Sequence, residues 1–310
     1  MKISQAIEAF LISLKFSQLS HNTIIAYKKD LVQWNVLIET NELDTLTYLD
    51  FQKYAMKISM EGFKPSTLKR KNTVICKFLK FCHAKKLCQE PLQHLLDPVK
   101  ARKTNAPKNV LSPQEIKDIF IYIDLEQVCC TRYKHYSLIR NKLIIAILLF
   151  TGCRAQEVVS IQKKAVDLEN KTILLITKGN KYNNVPIHPS LMEAFKLYYE
   201  ALEEVDDFDV YSLIKTSPYL FPSKRNPDKH INKRTLHAFF QHLSTKLNRP
   251  LHAHLFRHTF ASYCIAANMD ISTLSTIISH SNPSITLSIY THEISASQKK
   301  KEIQKLTFDI

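Results

Sequence analysis

Only three glycines occur in the 310-residue chain, Gly62, Gly152 and Gly179. A sequence this poor in the residue that tolerates left-handed backbone keeps it where a side chain does not fit, so each of the three marks a backbone position that needs it. Paired cysteines are missing too. The seven thiols, Cys76, Cys82, Cys88, Cys129, Cys130, Cys153 and Cys264, are odd in number and include no C-x-x-C pair. That excludes a zinc site of paired-ligand spacing and reads as reduced, intracellular sulfur. There is no long hydrophobic run either: the longest, Leu143 to Phe150, falls far short of the roughly 20 residues that span a bilayer. The stretch Met1 to Leu14 is interrupted by Lys2, Gln5 and Glu8 and so lacks the apolar core of a secretory leader. These absences make the cytoplasm the expected location, without a membrane partner.

Negative charge is also scarce. Lys and Arg number 43 against 28 Asp and Glu, a formal net charge of +15 that attracts a polyanion such as DNA, RNA or an acidic membrane surface. What remains is an ordinary globular balance, 45% hydrophobic and 23% charged, in a chain long enough for two domains with cores of their own.

Residues 1–97 read as all-helical. Apolar residues recur at helical spacing, as in Ile24, Tyr27, Leu31, Trp34 and Ile38, and the candidate helices are Ile3 to Leu14, Asn22 to Glu39, Thr47 to Met60 and Pro65 to Lys86. Ser20 and Asn22 are placed to cap the second, and Pro65 opens the fourth. Between Gly62 and Gln89 lie Lys64, Lys69, Arg70, Lys71, Lys77, Lys80, Lys85 and Lys86 with no Asp or Glu among them, so one face of the fourth helix is expected to bind phosphates. The ordinary alternative is a solvated basic face. Residues 98–110, with Lys100, Arg102, Lys103, Lys108 and two prolines, have the makeup of an extended basic linker.

Beyond it, residues 111–310 form a second domain. Ser112 and Pro113 start a helix, and helical signal continues through Arg140 to Phe150. The pattern then shortens to β-rich segments, Ala165 to Asp167, Thr172 to Thr177 and Tyr182 to Ile187, which suit a small antiparallel sheet with Lys178-Gly179-Asn180-Lys181 as a hairpin turn. Helices are expected again at Pro189 to Glu204, Asn232 to Leu247, His254 to Asn268, Ile271 to His280 and Ile285 to Tyr290.

Chemistry concentrates in this second domain. Thr151-Gly152-Cys153-Arg154-Ala155-Gln156-Glu157 follows the apolar helix where the chain must turn sharply. In His254-Leu255-Phe256-Arg257-His258, His254 and Arg257 stand three apart and share one helix face. His280 and Tyr290 follow. No carboxylate cluster suited to Mg²⁺ accompanies these residues, which argues against a two-metal nuclease.

Arg154, Lys178, the His254-x-x-Arg257 pair, His280 and Tyr290 resemble, in identity, order and approximate spacing, the catalytic set of tyrosine recombinases of the phage-integrase and Xer type. The resemblance covers residues 111 to 291 closely and the helical N-terminal half more loosely, as that family's core-binding domain. It departs at two points: where the family shows Leu-Gly-His, this chain has Ile278-Ser279-His280, so a flexible position has gained a side chain, and the gap from His280 to Tyr290 is ten residues, which is not the family's only spacing.

The resemblance implies a mainly α fold with a small antiparallel sheet, arranged as a two-domain, C-shaped clamp on double-stranded DNA. It also implies a homotetramer on two DNA sites and no metal or other cofactor. Tyr290 is then the nucleophile, Arg154 and Arg257 bind the phosphate, Lys178 is the general acid, His254 the acid/base partner of Tyr290, and His280 a hydrogen-bond donor to phosphate. Glu157 is a supporting acid that orients an arginine. The implied DNA contacts are Lys64, Lys69, Arg70, Lys71, Lys77 and Lys80 with Arg102 and Lys103 of the linker. The tail 295–310, with Ile303, Leu306, Phe308 and Ile310, packs on its own domain or on a neighbouring protomer. A type IB topoisomerase shares this chemistry but not dependence on a defined site, and a DNA-binding regulator would have lost it.

Overall fold

The computed structural model describes residues 1–17, 19–99, 110–127, 132–177, 179–203 and 208–279. The chain is mainly α-helical and divides into two compact units, Met1–Ala106 and Pro107–Ile310. The basic linker expected at 98–110 lies almost wholly outside the described residues, as does the helix expected at Ile285 to Tyr290.

The first unit is four helices: α1 (Ile3–Phe16), α2 (His21–Leu37), α3 (Tyr48–Met60) and α4 (Pro65–Ala84). Ser20 alone caps α2, its hydroxyl accepting the Thr23 amide at 3.2 Å. The inward stripes meet on the chain's only tryptophan: Trp34 is fully buried, 6.2 Å from the ring of Phe51 and 5.7 Å from that of Phe78. Buried among these helices, Asp30 of α2 pairs with Arg70 and Lys71 of α4, and Lys71 also donates to Gln33.

The second unit is built on a helix with no polar face along half its length. In α6 (Arg132–Thr151), every residue from Leu143 to Leu148 is buried, the pattern of a helix surrounded by others rather than lying on a surface. Around it pack α5 (Pro113–Gln127), the short α7 (Ala155–Val159), α8 (Pro189–Glu203), α10 (Lys233–Lys246) and α11 (Ala253–Ala266). A three-stranded antiparallel sheet, β1 (Val166–Asp167), β2 (Thr172–Thr177) and β3 (Lys181–Pro186), runs in chain order with Leu175 opposite Asn183. Its turn is tight, with Gly179 at φ 84° and Asn180 at φ 56°.

The sequence carries no expectation for α7, for α9 (Phe208–Thr216) or for the hairpin of β4 (Pro222–Ser223) with β5 (Asn226–His230). The last helix described, α12 (Ile271–Ile277), stops short of His280 because Ser279 turns to φ 53°.

Candidate active site

The site begins where α6 ends. Gly152 adopts φ 60°, and a Cβ there would stand 2.3 Å from Cδ1 of Phe260 and 3.0 Å from Cγ2 of Ile278. Glycine therefore lets the chain leave the central helix in a left-handed turn pressed against α11 and the end of α12. Cys153 follows, fully shielded, and burial pushes its thiol up to about 12, so it packs rather than reacts. Arg154 then caps α7.

Glu157, itself 5% exposed, fixes that cap twice over: Oε2 accepts the Arg154 amide at 2.7 Å and Oε1 accepts Nη1 of Arg154 at 2.8 Å. The arginine side chain stays about two-fifths exposed, at 39%. Arg257, on α11, is the opposite case at 3% exposed. Its Nη1 donates to the carbonyl of Gly152 at 2.8 Å and its Nη2 to the carbonyl of Ile278 at 2.7 Å. It therefore fastens the turn after α6 to the turn after α12.

A helix leaves its last carbonyls without internal partners. At the end of α12, three successive carbonyls are taken by three side chains from elsewhere in the fold. Asn183 Nδ2 donates to Ile277 O at 2.8 Å, Arg257 Nη2 to Ile278 O, and Arg154 Nη2 to Ser279 O at 3.2 Å. The same Asn183 amide reaches Ser279 Oγ at 2.7 Å. The two arginines, 103 positions apart in sequence, thus converge on the residues immediately before His280.

His254 and Arg257 rise from the first turns of α11. The His254 ring packs on that of His258, centroids 4.3 Å apart. The cap of this helix is itself a histidine: His252 Nδ1 accepts the Leu255 amide at 3.0 Å. Burial, with His237 of α10 nearby, holds the His252 imidazole below its ordinary range. Lys178, His280 and Tyr290 lie outside the described residues, as do Arg102 and Lys103.

On α4 the expected basic face needs correction. Lys71 is 6% exposed with its ammonium on Asp30, and Arg70 pairs with the same carboxylate. Both cations hold α4 against α2, but only Lys71 is withdrawn from an open phosphate-binding row; the Arg70 side chain stays half exposed. Lys64, Lys69, Lys77 and Lys80 remain exposed, Lys77 donating to Tyr27 Oη at 3.0 Å.

Sequence reading missed Asn183 altogether. The only signal was the pair Asn183-Asn184 inside a strand, where asparagine is disfavoured unless its amide has a specific partner. No group of three or more His, Cys, Asp or Glu residues suited to a metal occurs among the described residues. Nor is any helix among them long and apolar enough to cross a membrane.

Comparison with known proteins places this arrangement. A model described as Phage integrase family matches residues 110–296, and one described as Phage integrase, N-terminal SAM-like domain, matches residues 7–86. The first spans more than half of the chain: it belongs to the phage integrase family. Similar proteins include the Tyrosine recombinase XerD of Haemophilus ducreyi, 29% identical over 98% of this chain and 97% of that one. The Tyrosine recombinase XerC of Staphylococcus carnosus is 26% identical over 95% and 94%. Among solved structures, the Tn1549 transposon integrase in complex with transposon right end DNA superposes with a TM-score of 0.70 at 21% identity, covering 99% of both chains. The XerH site-specific recombinase in its post-cleavage complex with palindromic difH substrate gives 0.71 at 18%, covering 92% of this chain and 80% of that one. At those identities the structural likeness establishes the fold.

Proposed function

We propose that this chain is a site-specific tyrosine recombinase that cleaves and rejoins DNA through a 3′-phosphotyrosyl intermediate at Tyr290. A phosphodiester repels nucleophiles by its charge, and the pentacoordinate transition state places still more charge on the non-bridging oxygens, so cations held there lower the barrier. Arg257, buried and fastened at two carbonyls, supplies a charge that needs no reorganisation during the reaction. Arg154, more exposed and steered by Glu157, approaches from the open side.

In the forward step the Tyr290 oxygen forms a bond to phosphorus as the bond from phosphorus to the 5′-oxygen breaks. His254 takes the phenol proton, Lys178 gives a proton to the departing 5′-oxygen, and His280 donates a hydrogen bond to a non-bridging oxygen. Attack by a 5′-hydroxyl from the partner strand reverses each transfer. Bond energy is conserved in the linkage, so neither ATP nor a metal ion enters the scheme.

The partner is double-stranded DNA carrying a specific recombination site, held by exposed Lys64, Lys69, Arg70, Lys77 and Lys80 with Arg102 and Lys103. Four copies act on two sites, in the cytoplasm. The tail 295–310 packs either on its own domain or across to a neighbour. The observation that supports this reading best is the convergence of Arg154 and Arg257 on the backbone leading into His280. On a nicked suicide duplex made from flanking genomic DNA, wild type should accumulate covalent protein–DNA adduct, and Tyr290→Phe should bind the same duplex and form none. Equal adduct from both would overturn the assignment.

A further inference from the structure

Asn183 stands where two parts of the site meet. It lies on β3, on the same face as buried Val185, and its amide leaves the sheet to hold both Ile277 O and Ser279 Oγ. Satisfying the end of a seven-residue helix needs only one donor at Ile277. The second bond goes to a hydroxyl that exists only because a serine has taken a left-handed position, at φ 53°, which glycine accepts more readily. Ser279 is also the residue whose carbonyl receives Arg154. One amide thus joins the hairpin strand to the backbone on which both arginines are seated.

We propose that Asn183 is a positioning residue that ties the β2–β3 strand pair to the C-terminal turn of α12, setting the general acid borne between those strands against the guanidinium-bound phosphate. The inference rests on the recombinase reading above. Its consequence is specific to one step of the chemistry. Protonation of the departing 5′-oxygen depends on the hairpin, whereas Arg154 and Arg257 keep anchors away from the α12 turn, on Glu157 Oε1 and Gly152 O, when the tie is lost. Losing the tie should therefore slow departure of an alkoxide and leave departure of a better leaving group nearly untouched.

The test compares two substrates in single-turnover cleavage, using a duplex recovered by covalent capture from a randomised pool. One substrate carries the natural scissile oxygen and the other a 5′-bridging sulfur. With sulfur, the phosphorus–sulfur bond breaks and the thiolate leaves without needing a proton. Asn183→Ala removes the amide, and Asn183→Asp keeps the shape while losing the ability to donate to a carbonyl. Both should slow cleavage of the oxygen substrate by on the order of 10²-fold, the cost of misplacing a catalytic group by about an ångström. Both should cleave the sulfur substrate close to the wild-type rate, with unfolding transitions in place. Equal losses on the two substrates, or no loss on either, with wild type active, would overturn the inference alone. Failure of wild type to form a Tyr290-dependent adduct on any duplex would remove the reading beneath it as well.

Discussion

Replacing Gly152 by alanine tests the geometry on which the site is built. The position has φ 60°, where an L-residue with a Cβ is penalised by roughly 1–2 kcal/mol. The added methyl also meets Cδ1 of Phe260 at 2.3 Å, so ring and turn must separate, a repacking that costs about 1–3 kcal/mol. The expected destabilisation lies between about 2 and 5 kcal/mol, a large part of the roughly 5–15 kcal/mol that holds a domain folded. Because Gly152 O receives Nη1 of Arg257 at 2.8 Å, the same displacement shifts the buried guanidinium and should depress DNA cleavage beyond the loss of stability. Urea unfolding separates the effects by location. Trp34, the only tryptophan, sits in the first unit, so its fluorescence should be unmoved while the far-ultraviolet dichroism of the second unit shifts to lower urea. A change of less than about 1 kcal/mol, with cleavage intact, would refute the claim that this turn admits only glycine.

Two further outcomes follow from buried charge and from the histidine cap. Asp30→Ala strands the ammonium of Lys71, 8% exposed at its side chain, and should cost about 3–5 kcal/mol; tryptophan fluorescence in urea reads this, and a loss within experimental error would show that the pair is idle. The His252 imidazole titrates below its usual 6.5 in the folded chain and accepts the Leu255 amide only when neutral, while a charged ring would also oppose the positive end of the helix dipole. Its contribution to stability is therefore complete above pH 6.5 and is lost as pH falls through the lowered folded value. His252→Asn, a cap that does not titrate, should flatten that acid limb in both unfolding and cleavage, and an unchanged limb would assign it to other groups.

Helices were legible where one physical signal dominated. The spacing of Trp34 with its neighbours marks α2, and Pro65 in the first turn marks the start of α4. The β4–β5 hairpin was not, because Asn226-Pro227-Asp228-Lys229-His230 has the composition of a turn. Its shape comes from tertiary bonds such as Ser217 Oγ to Pro227 O at 2.6 Å. At the site, Arg154 and Arg257 stood out because each has telling neighbours in sequence. Asn183 did not, since its partners lie 94 and 96 positions away and no local pattern records them. The same blindness hid Asp30: the run from Gly62 to Gln89 contains no acid, but the counter-ion of Lys71 arrives from another helix.

The central claim is that a phenol held near this pair of guanidiniums becomes the temporary anchor of a broken strand. Proteolysis and mass spectrometry of the adduct formed by wild type on the suicide duplex locate that anchor directly. The nucleotide should be found on the peptide containing Tyr290, bonded through its 3′-phosphate. A nucleotide on any other of the thirteen tyrosines, or linkage through a 5′-phosphate, would contradict the account.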